Sequence, residues 1–128
     1  MTRLKTGTMA LLAAILLMIS GLALAGSDSI RTMAGITMRL QHFPSDADKE
    51  QLKAIIDSDD STEEEASIAM ALMNLQHQVA AGDAQRLHAI VEDDAADGDA
   101  KTLAEILLTI KHMPSDADKA RLAALASE

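Results

Sequence analysis

Apolar positions along the chain recur in blocks spaced 35 residues apart. The first block has Met33, Ile36 and Leu40 with Thr37 among them. The second has Ile68, Ala71, Leu72 and Leu75, and the third Leu103, Ile106, Leu107 and Ile110. Steps of three and four residues place each block along one side of an α-helix. The opposite side is also apolar or small: Ala34 and Met38, Ala69 and Met73, Ala104 and Leu108. A helix that is apolar nearly all round is a buried one. The spacing therefore predicts an inner helix A over Ser29–His42, Glu63–Val79 and Asp99–His112.

A narrower stripe follows each block: Leu52, Ile55 and Ile56, then Leu87, Ile90 and Val91, then Leu122, Leu125 and Ala126. It predicts a second, wetter helix B over Asp46–Asp57, Asp83–Asp94 and Asp116–Ala126. Ala34, Ala69 and Ala104 on helix A, with Ala54, Ala89 and Ala124 on helix B, are expected to let the two backbones approach closely, since a larger side chain there would overpack. The fold class is thus all-α: three tandem αα-hairpins of about 35 residues, six helices in total, at 26–60, 61–95 and 96–128.

The turns between the helices carry the same signal. "HFPSDADKEQLKAI" begins at His42 and "HMPSDADKARLAAL" at His112. Pro44 and Pro114 stop helix A, because a proline pushes the residue before it out of the helical region. Ser45 with Asp48, and Ser115 with Asp118, then read as capping boxes with Asp in the place of Glu. The middle copy, "LQHQVAAGDAQRLHAI" from Leu75, lacks both devices; Gly82 is expected to end helix A and Asp83 to cap helix B directly. This architecture resembles the tetratricopeptide and HEAT class of helical-hairpin repeats. The resemblance rests on period and pattern and carries over no functional residues.

What precedes the first hairpin is different. "MTRLKTGTMALLAAILLMISGLALAG" has a basic start, an apolar run and Ala23-Leu24-Ala25 at its end. That is the pattern of a secretory signal peptide cut after Ala25, and the first repeat counts back to Gly26. The expectation is an exported chain, periplasmic in a bacterium or secreted, with no membrane attachment after cleavage. Removing the leader takes away two basic residues and no acidic one. It leaves 9 Lys and Arg against 20 Asp and Glu, a net charge of −11. Such a surface repels nucleic acid and favours a basic protein or peptide partner. The absence of cysteine excludes disulfides, thiolate metal sites and cysteine catalysis. No nucleophile elbow, zinc-protease helix or phosphate loop is present, so no enzyme and no organic cofactor is expected.

Two charged features invite a cation. The acidic linkers "DSDDSTEEE" and "EDDAADGDA" fail the calcium-loop pattern at positions 6 and 12 in one case and 3 and 12 in the other. The phased histidines His42, His77 and His112 are more suggestive, histidine being the commonest metal ligand. If the repeats stack in a row, equivalent positions lie on the order of 10 Å apart, and neighbouring histidines cannot share an ion. Their expected role is then structural: each ends helix A and faces an aspartate across the turn, as His42 with Asp48, His77 with Asp83 and His112 with Asp118. A metal alternative pairs Met38 with His42 and Met73 with His77 at helical spacing, a set suited to copper or zinc handling. The leading functional expectation is an exported acidic helical-repeat scaffold for protein–protein interaction. Ile30, Met33 and Met38, at what would be an uncapped end of the stack, suggest a homodimer.

Overall fold

The computed structural model describes residues 28–127. The predicted signal peptide lies outside the described residues. The described residues are all-helical, with six helices among them. α1 is described over 28–38; α2 is Asp46–Asp57, α3 Glu63–Met73, α4 Ala81–Glu92, α5 Gly98–Thr109 and α6 Asp116–Ser127. Odd-numbered helices are the inner ones. Ile36, Ile68, Leu72, Leu103, Ile106 and Leu107 are fully buried, and so are Ala34, Ala69 and Ala104. The outer helices contribute only a stripe to this core: Leu52 and Ile55, Leu87 and Ile90, Leu122 and Leu125. No helix among the described residues is long and apolar enough to cross a membrane.

The inner helices α3 and α5 each begin on a side-chain cap. Thr62 and Glu65 form a complete capping box at α3, and Asp97 accepts from the amides of Asp99 and Ala100 at α5. Glu63, Glu64 and Glu65 of the first acidic linker, and Asp97 and Asp99 of the second, are therefore helix-start chemistry, with their anions at the positive end of the helix dipole, whereas Asp57, Glu92 and Asp93 lie at the ends of α2 and α4. The complete box of Ser45 and Asp48 opens α2, and the Asp118 amide donates to the Ser115 hydroxyl at α6.

Four expectations are corrected. Helix A stops four residues early in the first copy, six in the second and three in the third, because Leu40, Leu75 and Ile110 leave the helix to bury themselves. The helix B alanines Ala54, Ala89 and Ala124 are exposed, so the close approach uses only the helix A set. Gly82 lies inside α4, which starts after Ala80 without any side-chain cap; Asp83 sits in the first turn. Finally, Ile30 and Met33 are buried, not exposed at an end. The reason for the last is topological. α2 packs on α3, and α4 packs more extensively on α5 than on α3, so these two outer helices bridge to the next repeat. The third repeat returns to the first rather than leaving it as a free face: the His42 amide donates to the His112 carbonyl at 2.7 Å, across 70 residues of sequence.

Candidate metal centre

The three histidine turns meet. The His77 amide donates to the His42 carbonyl at 2.8 Å, and the His112 amide to the His77 carbonyl at 2.7 Å. With the bond from His42 to His112 these close a ring of three backbone hydrogen bonds, one donor and one acceptor from each repeat. Each histidine is also the central residue of a three-residue turn. The Phe43, Gln78 and Met113 amides donate to the Gln41, Gln76 and Lys111 carbonyls at 2.7–2.8 Å. His42, His77 and His112 have φ of 70°, 67° and 70°, and they are the only non-glycine residues with positive φ among those described. A γ-turn with φ near about +75° is the rarer, strained form. Strain of this kind costs about 1–3 kcal/mol per residue and persists only where the surroundings over-determine it. Here it recurs three times at one kind of residue, which directs attention to what the side chains do.

The side chains converge. Nδ1 of His42 lies 3.2 Å from Nδ1 of His77 and 3.1 Å from that of His112, and the third pair is 2.9 Å apart. Ring centroids are 4.9–5.1 Å apart, with planes at 73–76°. The centroids are wider apart than the Nδ1 atoms by about 2 Å, so each ring turns its Nδ1 edge toward a common centre in a propeller arrangement. All three residues are exposed, and the triad is open to solvent.

This placement reverses the spacing argument. Equivalent positions in a row of hairpins would be too far apart to share an ion; around a closed ring they touch. The early end of helix A also removes the histidines from the helix C-terminus, so they do not serve its exposed carbonyls. Nor do they pair with the aspartates. In every copy the aspartate instead reaches back nine residues: Asp48 accepts from Arg39, Asp83 from the Asn74 amide at 3.2 Å, and Asp118 from the Thr109 hydroxyl at 3.5 Å. Arg86 and Arg121 add ion pairs to Asp83 and Asp118. Burial alone would push the Asp48 carboxyl up, but hydrogen bonds from Arg39 and Ser45 outweigh it and hold the group below the usual carboxylate range. These aspartates belong to the hairpin, and the histidines to the junction between hairpins.

Met38 and Met73 are half-buried and pack against the core. The neighbours of each histidine Nδ1 are the other two histidines. The donor set that the fold assembles is thus three imidazoles, with His112 as an equal member. Helical spacing pairs His112 with Leu108 and so misses it as a ligand; the signal in the sequence is the constant interval of 35 residues between the three histidines. His88, which has no counterpart in the other repeats, is exposed on α4 away from this phase. No family model, curated protein or solved structure matches the chain.

Proposed function

We propose that this protein binds a divalent transition-metal ion, zinc above all, through Nδ1 of His42, His77 and His112, and that it does so as an exported, acidic helical-repeat protein. The observation that carries the reading is the three-way contact of the Nδ1 atoms. A neutral imidazole has one N–H and one lone pair, so each Nδ1 is either a donor or an acceptor. Three mutually adjacent groups cannot alternate: two of them must be alike. In a triad at 2.9–3.2 Å, one pair is then always hydrogen to hydrogen or lone pair to lone pair. A cation at the centre removes the conflict, because all three lone pairs then point at it and all three protons move to the outward Nε2 atoms.

The dimensions agree with this. Zinc–nitrogen bonds of ~2.0–2.1 Å in a tetrahedral site set ligand nitrogens roughly 3.4 Å apart, a few tenths of an ångström wider than the triad. Imidazole nitrogen suits zinc, copper(II) and nickel, and the all-nitrogen set disfavours copper(I), which prefers sulfur. Zinc has no geometric demand of its own and accepts a tripod with a free fourth position. The chain's charge of −9 raises the local concentration of cations.

Calorimetric titration of the purified protein with zinc tests the reading. The expected result is one ion per chain with a dissociation constant below about 1 μM, and a loss of roughly 100-fold in His77→Ala. Equal affinity in a variant lacking all three histidines sinks it.

A further inference from the structure

The geometry points to a small organic carboxylate with an apolar body as the ligand that completes the ion's coordination, an inference that rests on the metal reading above. Three imidazoles leave a tetrahedral ion one position open, the arrangement of sites that take an exogenous ligand rather than of closed structural sites. The triad is exposed, so that position is reachable from solvent. One of the three histidines, His77, also lines a cavity of specific chemistry.

A cavity of ≈480 Å³ lies against His77, between the first two repeats. Its walls include Phe43, Met73 and Leu75 on the apolar side and Gln76 and Lys49 on the polar side. Lys49 is half-buried, and none of the ion pairs formed among the described residues involves it. In a chain with 20 acidic residues, a partly sheltered lysine facing a cavity without a carboxylate is an anion position waiting for its counter-charge. The residues on either side of the histidines are Gln41, Phe43, Gln76, Gln78, Lys111 and Met113, with no acid among them to compete. Phe43 is 59% exposed at the cavity edge, a large apolar side chain left in water where a ligand body could cover it. One carboxylate oxygen on the ion, the anion's charge shared with Lys49, and the carbon skeleton against Phe43 and Met73 use every one of these features. The cavity adjoins only one of the three histidines, so the ligand breaks the threefold likeness of the site, and the second repeat differs in sequence from the other two at this turn.

Cobalt(II)-loaded protein provides the test, because the visible spectrum of a cobalt ion reports both the imidazole set and a change in the fourth ligand. Titration with 3-phenylpropionate should shift the spectrum and saturate at a concentration ~10-fold lower than acetate does, through the apolar surface covered. Lys49→Met should weaken 3-phenylpropionate by about 5–10-fold and leave cobalt affinity unchanged. Equal saturation by the two acids, or an unaltered response in Lys49→Met, overturns the carboxylate site and leaves the metal reading intact. Failure of cobalt to give a histidine-bound spectrum at all overturns the metal reading itself.

Discussion

The turns of the first and second repeats reach the same backbone geometry from different sequences. His42 is followed by Phe-Pro-Ser-Asp, with a complete capping box and an Arg39–Asp48 ion pair. His77 is followed by Gln-Val-Ala-Ala, with no proline, no side-chain cap at α4 and an Asn74 amide where the arginine would be. Yet φ is 70° at one and 67° at the other, and both join the same hydrogen-bonded ring. Proline and cap therefore do not make the strained turn; they only start the next helix. What the two turns share is the Leu-Gln-His that enters each, at 40–42 and 75–77, and the histidine's neighbours from the other repeats.

If that is right, the two histidines should be equivalent in spite of their flanks. His42→Ala and His77→Ala should each lower zinc affinity by roughly 100-fold, and a ligand present at 100 times its dissociation constant adds about 2.7 kcal/mol of stability. Thermal melts with and without zinc should show this increment in the unmodified chain and its loss in both variants. A much smaller loss in one of them breaks the equivalence.

The strain is the next largest effect. Without metal, His42→Gly and His77→Gly should each be more stable than the corresponding alanine variant by about 1 kcal/mol, because glycine takes positive φ freely and alanine does not. Urea unfolding of the four variants measures the difference; alanine equal to glycine would mean that the turn relaxes once the imidazole is gone.

The caps should then separate the two turns. Ser45→Ala should cost about 1 kcal/mol, whereas Ala80→Ser should stabilise by up to about 1 kcal/mol by giving α4 the cap it lacks. The smallest effect is electrostatic. Asp48 has a folded pKa below its ordinary value of 3.8, so its contribution is present above that value and is lost as pH falls through it and below. With Arg39 half in solvent the contribution is under about 1 kcal/mol. Denaturation midpoints between pH 6 and pH 3 should fall less steeply for Asp48→Asn than for the unmodified chain.

Much of this molecule is readable from its residues. The three-and-four spacing of Ile68, Ala71 and Leu72 identifies the inner helix. The stripe at Leu52 and Ile55 identifies the outer one, and Asp46–Asp57 is predicted to the residue. These are local properties, set by side-chain hydrophobicity over a few turns of backbone. The helix B alanines mislead because an exposed alanine and a tightly packed one look the same in a sequence. The end of helix A misleads because nothing at Leu75 says that it will be buried from outside the helix.

The sequence by itself determined the unit: its length, its buried face, the caps at Ser45 and Ser115 and the interval that phases the three histidines. Whether the third unit would lie beyond the first or come back to it was decided only by tertiary structure. The rotation from one hairpin to the next is set by how α2 packs on α3 and α4 on α5, a property of whole interfaces that periodicity does not encode. The return places His112 against His42 across 70 residues, and in that single step three scattered imidazoles become one set of ligands.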